Sequence, residues 1–315
     1  MTIEKAGTRK LPADRCELGE GPSYDRTEDT AWWLDIVGRK LFEHRFASGD
    51  THAHALPSMA SMIARVDGDH QLVAMEGGLY LRARSDGAFA LLAPLEADDN
   101  TTRSNDGRVH PSGALWIGTM GKKAERNAGA IYWFDGRTVR RLYRDITIPN
   151  SICYSPDGCT AYFADTAVDT VWQVAIDPAT ALPQGEPSPF LSASDLPLGG
   201  HFDGSVTDAD GVMWNAAWGG GSVSGYSPDG HLVRTYEVPA VQTTCPAFVG
   251  RDLAGLLVTT AREGQDERAR AADPGAGFTY VIEGSFKGLA EPVFRLAPET
   301  GETGGVTARK AGADP

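Results

Sequence analysis

Only four of the 315 residues are cysteine (Cys16, Cys153, Cys159 and Cys245), and no Cys-x-x-Cys spacing occurs. Such scarcity argues against a disulfide framework and against a thiolate metal cluster, so the four are expected to be reduced core thiols. No run of about 18 apolar residues is present, and Met1 to Lys10 hold no apolar stretch of the kind a secretion signal needs. The protein is expected to be cytoplasmic, without a membrane partner. Lys and Arg form no long run, and the formal net charge is -13, which repels phosphate backbones and anionic lipid. Nucleic acid is not expected as a partner. Long 3.6-residue periodicity is missing as well, which removes helical bundles and helical solenoids. His-Glu-x-x-His, Gly-x-Ser-x-Gly, a phosphate loop and an EF-hand loop are all absent.

What the chain does have is a repeat. A turn carrying Asp, Gly or Ser leads into a short apolar and aromatic strand six times: Asp25 to Leu34, Asp67 to Ala74, Pro111 to Gly118, Pro156 to Ala164, Asp210 to Ala217 and Arg251 to Thr259. Taking Trp33, Val73, Trp116, Tyr162, Trp214 and Leu257 as equivalent points, the steps are 40, 43, 46, 52 and 43 residues. That spacing suits propeller blades. A second strand-like element follows each copy: Lys40-Leu41-Phe42, Gly78-Leu79-Tyr80, Ala130-Ile131-Tyr132, Thr170-Val171-Trp172, Ser222-Val223-Ser224 and Gly277-Phe278-Thr279. Ser155-Pro156-Asp157-Gly158 and Ser227-Pro228-Asp229-Gly230 read as tight turns. The 37 glycines and 19 prolines agree with many short strands. The fold class expected is all-β, a single six-bladed β-propeller over 1–298 with a metal site at its central channel, followed by a disordered tail over 299–315. Its ring is expected to close where Leu11 to Leu18 joins the last blade near Glu291 to Leu296.

Three polar residues stand in tight contexts beside predicted inner strands. Glu20 lies in Gly19-Glu20-Gly21-Pro22, Asn150 follows Pro149, and Asp203 stands between Phe202 and Gly204. More than fifty residues separate each from the next, so only converging inner strands can bring them together. Two carboxylates and an amide oxygen form a hard, oxygen-only ligand set suited to Ca2+, Mg2+ or Mn2+. Taken singly, each can equally be a turn residue.

With Arg103-Ser104-Asn105-Asp106-Gly107, Leu115-Trp116-Ile117-Gly118-Thr119-Met120 and Thr259-Thr260-Ala261-Arg262 added, these motifs occur in the order seen in the gluconolactonase, regucalcin and luciferin-regenerating family, which the chain resembles over roughly residues 15–296. The resemblance implies one divalent ion, Ca2+ first with Zn2+, Mg2+, Mn2+ or Fe2+ as alternatives, held by Glu20, Asn150 and Asp203. It implies substrate contacts from Arg103, Asn105 and Glu125. Two departures stand beside the ligands: the family usually has Gly where this chain has Ser151, and Pro where it has Phe202.

The chemistry implied is hydrolysis of a sugar lactone to its acid, which needs a polarised carbonyl and an activated water but no Ser or Cys nucleophile. Asp203 is the candidate general base, with activation of the water by the ion alone as the competing account. Arg103 can stabilise the oxyanion. His201 precedes Asp203 by two residues and on a regular strand shares its side, which makes it a candidate for the pocket wall. Trp214 and Trp218 share a face as core or as a stacking wall for a sugar. The partner expected is a neutral aldonolactone, bound by a monomer. Two alternatives remain: a calcium-binding propeller without turnover, for which Arg103, Asn105 and Glu125 serve no purpose, and a paraoxonase-like esterase, which needs a catalytic histidine.

Overall fold

A computed structural model describes residues 3–4 and 7–296. These form six sheets arranged as the blades of a propeller, antiparallel except where Ile3–Glu4 adds a parallel fifth strand to Leu232–Glu237. Blade 1 comprises Gly19–Asp25, Thr30–Asp35, Lys40–Arg45 and Asp50–Ala55. The inner strands of blades 2 to 6 are Ala60–Arg65, Thr102–Val109, Pro149–Tyr154, His201–Thr207 and Thr243–Val249. Each inner strand lies beside the next, and the sixth lies beside the first, so the ring is closed. The single α-helix among the described residues, Glu267–Ala272, belongs to an insertion in blade 6.

Burial explains the layering. Inner strands are covered on both faces, as in Pro149–Tyr154, where every residue is buried. The outermost strand of blade 1, Asp50–Ala55, is mostly exposed and rich in polar residues. Apolar cores lie between neighbouring blades. Trp116, Ile131 and Trp133 of blade 3 pack on Ile152, Tyr154 and Phe163 of blade 4. Met62, Leu72 and Leu79 of blade 2 pack on Leu115, Ile117 and Phe134 of blade 3. All six reference residues of the repeat fall on the second strand of their blades. Five of the six following elements fall on third strands. In blade 6 the helix-bearing insertion delays that strand to Tyr280–Glu283, just past Gly277-Phe278-Thr279.

Ring closure differs from the sequence expectation. Thr8–Lys10, not Leu11 to Leu18, supplies the outer strand of blade 6, pairing with Tyr280–Glu283. Among the described residues the chain after Gly284 forms no strand. It crosses the end of the channel where the inner strands finish, with Phe294 N donating to Arg65 O, Arg295 N donating to Gly113 O, and Glu291 bonded to Arg108 at 2.8 Å. The reason is geometric: blade 6 already has its third strand, and the apolar Phe294 finds a stacking partner in Phe134 (centroids 5.5 Å apart) under blade 3. The tail over 299–315 lies outside the described residues. All four cysteines are free, but Cys159 is exposed beside its turn rather than buried in a core. No described helix is long and apolar enough to cross a membrane.

One irregularity recurs in every blade. Where the inner strand begins, it carries one extra residue against its neighbour: Glu20 and Ser23, three apart, face Leu34 and Trp32, two apart. The same offset occurs at Ser104/Gly107, Asn150/Cys153, Phe202/Ser205 and Thr243/Pro246, and in shorter form at Ala60/Met62. Such bulges bend a strand and re-aim its side chains. In blade 1 the bulge needs glycine, because Gly21 has φ +54° and a Cβ there would stand 2.4 Å from Ser61 O.

Candidate functional site

The bulged starts of the inner strands gather around one mouth of the channel. A cavity of about 350 Å³ opens there, and Glu20, Arg103, Asn105, Asn150 and Asp203 all line it. Asp203 and Asn150 are buried, whereas Glu20 is half-buried at the cavity wall. Side chains that were more than fifty residues apart in sequence thus share one concave surface.

Electrostatics mark this mouth as a place where buried carboxylates crowd one another. Burial, then the Asp106 carboxylate, pushes Glu20 up to about 8. Burial, then Glu20, drives Asp203 well above the usual carboxylate range. Asp106 is raised by burial, though Arg108 opposes the shift, and Glu263 on the cavity wall is raised by burial and opposed by Arg103. Buried carboxylates that crowd one another favour either a shared proton or a cation. Among the described residues no three His, Cys, Asp or Glu side chains converge as a ligand group. The amide oxygen of Asn150 on the same wall as the Glu20 and Asp203 carboxylates makes an oxygen-only set, of the kind that fits a hard divalent cation.

Arg103 is buried, which lowers its hold on a proton, while Glu263 and Glu20 raise it. Its Nη1 donates to Ser104 O and to Asn105 Oδ1, both at 2.8 Å. Among the described residues no hydrogen bond engages Nε or Nη2, which leaves that edge of the fork for a ligand. Asn105 Nδ2 donates to Asn150 Oδ1 and to Pro149 O, both at 3.0 Å. Asn150 Nδ2 donates to Thr166 Oγ1 at 2.8 Å, and the Thr166 hydroxyl donates to Phe202 O at 2.7 Å.

Two of the sequence candidates are placed elsewhere. Glu125 is exposed on the rim, where its Oε2 accepts from Lys123 N at 3.0 Å and so closes its own loop. His201 is exposed and bonds the Asp169 carboxylate through Nδ1 at 2.9 Å. The bulge between Phe202 and Ser205 breaks the two-residue alternation, so Asp203 turns inward while His201 stays outside. The tryptophan pair also divides. Trp214 enters the core and donates to Asp208 Oδ2 at 2.9 Å, whereas Trp218 lines the cavity. Glu263, Thr166, Lys122 and Lys123 also line the wall without having been singled out as site residues. Glu263 alone had a signal, its place directly after Thr259-Thr260-Ala261-Arg262.

Comparison with known proteins places this mouth in context. The sequence profile described as SMP-30/Gluconolactonase/LRE-like region matches residues 18–262. The chain belongs to that family. A Rhizobium meliloti (strain 1021) protein named as a candidate sugar lactone lactonase is 51% identical, covering 91% of this chain and 97% of its own. The L-arabinolactonase of Azospirillum brasilense is 35% identical over 94% of this chain and 98% of its own. A calcium-binding protein, regucalcin, from Agrobacterium tumefaciens strain C58 superposes with a TM-score of 0.91 at 48% identity, covering 94% of this chain and all of that one.

The two departures from the family pattern acquire a structural account. Ser151 has φ +56°, a left-handed conformation that costs a side-chain-bearing residue roughly 1–2 kcal/mol and that glycine adopts freely. Its hydroxyl donates to Asp203 O at 2.5 Å, and Asn215 Nδ2 donates to the same carbonyl at 3.0 Å. The serine thus adds a tether to Asp203 that glycine lacks. Phe202 points away from the mouth, fully buried between blades 4 and 5.

Proposed function

We propose that the chain is a lactonase that hydrolyses a sugar lactone to the open-chain acid at this mouth, with one divalent ion. The carrying observation is the gathering of Glu20, Asn150, Asp203, Arg103 and Asn105 on one cavity of about 350 Å³, a volume suited to a single monosaccharide lactone. The names of the relatives from Rhizobium and Azospirillum support the same reaction class.

Glu20, Asn150 and Asp203 would hold the ion, which when bound supplies Lewis-acid polarisation of a carbonyl and acidifies water. The chain's own residues do the rest. Water adds to the lactone carbonyl carbon, and its proton passes to the Asp203 carboxylate on the cavity wall. The free edge of the Arg103 fork donates to the oxyanion that develops, while Asn105 holds the guanidinium in place. Collapse of the tetrahedral species breaks the ring C–O bond. The proton on Asp203 then passes to the departing ring oxygen, leaving a carboxylate, a hydroxyl and a released proton. Trp218 offers an apolar face to the sugar ring.

A second reading, ion binding without turnover, is favoured by the name of the Agrobacterium structure. The deciding experiment assays five- and six-carbon sugar lactones and aryl esters by acid release, with and without chelator, for the wild type and Arg103→Lys. The lysine keeps the charge but loses the planar fork. Turnover of a sugar lactone is expected to require the ion and to fall about 10²- to 10³-fold in Arg103→Lys, with ion affinity unchanged. Ion binding with no turnover of any lactone would establish the second reading.

A further inference from the structure

The hydrogen bonds around Asn150 form a single directed chain, and its two ends fix its sense. Arginine has only N–H donors, so Arg103 forces Asn105 to present its oxygen to Nη1. The Asn105 amide nitrogen then faces Asn150, which must turn its own oxygen toward Asn105 and its nitrogen toward Thr166. At the far end a backbone carbonyl, Phe202 O, can only accept, so the Thr166 hydroxyl spends its proton there and presents a lone pair to Asn150 Nδ2. An asparagine oxygen and nitrogen are close to isosteric, and nothing in the shape of a cavity chooses between them. The choice matters here, since an inverted amide would offer N–H groups to a cation.

We propose that Thr166 is a positioning residue that locks the Asn150 amide with its oxygen toward the ion site, a role that rests on Asn150 being a ligand. The backbone is built for the task. Asp165 accepts from Thr147 N and Ile148 N at 2.9 Å and from Ala167 N at 3.2 Å, which pins the short turn Thr166–Val168 against the start of the blade 4 inner strand. Thr166 N also donates to Ile148 O at 3.0 Å. The same hydroxyl links blade 4 to the carbonyl preceding Asp203 in blade 5, so two ligands on neighbouring blades share one clamp. Ser151 reaches across the same blade boundary to Asp203 O.

The test titrates Ca2+, and separately Mn2+, into chelator-stripped protein by calorimetry, alongside thermal unfolding of each stripped variant. Thr166→Val preserves the branched shape and removes both hydrogen bonds. Its ion affinity is expected to fall roughly 10- to 100-fold, the range usual for partners that orient metal ligands. Thr166→Ser restores the hydroxyl and is expected to bind like the wild type. Thr166→Ala serves as a second deletion should the valine variant fold poorly, and Asn150→Ala marks the loss of the ligand itself. Wild-type affinity in Thr166→Val or Thr166→Ala, with Asn150→Ala impaired, overturns the clamp and leaves the ligand reading intact. Wild-type affinity in Asn150→Ala overturns both. A Thr166→Ser variant as weak as Thr166→Val also overturns the clamp, because it assigns the effect to packing.

Discussion

At Glu20 burial and Asp106 raise the carboxyl from an ordinary 4.5 to about 8, with the Gly21 N–H and Arg103 pulling in the opposite direction. In the unfolded chain the same group releases its proton near 4.5. The ion-free fold therefore takes up a proton between these values, and the stability this contributes is complete below about 4.5 and lost as pH rises through about 8. Asp203 and Asp106 are shifted in the same direction, both by burial first. Chelated protein is accordingly expected to lose Tm as pH rises from about 5 to about 8. Glu20→Gln, which cannot ionise, should flatten that fall, and saturating divalent ion should largely abolish it because the ion binds the deprotonated carboxylates. A chelated Tm that rises across the window would contradict the charge crowding described here. Tight local context singled out Glu20, Asn150 and Asp203 in the sequence, and all three line the one cavity. Thr166 carried no such mark, since a threonine after an aspartate is common in any turn. His201 and Glu125 do not line the cavity for a different reason: where a loop or strand turns its side chains depends on partners, Asp169 and Lys123 N, that sequence spacing does not reveal.

Strands were easier to read than their defects. Aromatic and branched residues concentrate on second strands, such as Trp32 and Trp33 in Thr30–Asp35, because these are covered by both neighbouring blades. The extra residue at the start of each inner strand leaves no trace common to all six blades, yet it decides which side chains face the channel. Gly21 allows a direct test of that element. Gly21→Ala places a methyl 2.4 Å from Ser61 O at φ +54°, so the bulge must shift and take Glu20 with it. A loss of about 1–3 kcal/mol in denaturant unfolding is expected, together with weakened ion binding. Gly49→Ala is the control, for it has φ +76° with nothing within 4 Å of the added carbon. It should cost about 1 kcal/mol through backbone strain and leave ion affinity untouched. Equal ion affinities in the two variants would mean that the bulge does not aim Glu20.

The ring as a whole has two closures that do different work. Around the rim, Thr8–Lys10 completes blade 6 with the register Thr8 to Ile282, Arg9 to Val281 and Lys10 to Tyr280. Across the far end of the channel, the segment after Gly284 ties blade 6 to blades 2 and 3, and its Glu291 meets the buried Arg108 at 2.8 Å. The repeat pointed to a closed ring because six blades leave two open edges unless the termini meet. It could not say which terminal segment pairs, since three residues of Thr-Arg-Lys have no strand signature. Removing residues 1–10 probes the rim closure, together with the parallel pairing of Ile3 and Glu4 with Thr235 and Tyr236 on the outer strand of blade 5. The ladder to Tyr280–Glu283 is lost, at about 1 kcal/mol for each hydrogen bond, and an unpaired edge is exposed. A fall in Tm of several degrees is expected, about 2–4 °C for each kcal/mol at this size, with faster amide exchange at Val281 and Ile282. Ion affinity at low temperature should be retained, because Glu20, Asn150 and Asp203 stand on blades 1, 4 and 5 at the opposite end of the inner strands from the crossing segment. An unchanged Tm would transfer the closing role to the Glu291–Arg108 crossing. In that case Glu291→Ala, which strands a buried guanidinium, should be the variant that opens the ring, with a loss of about 3–5 kcal/mol.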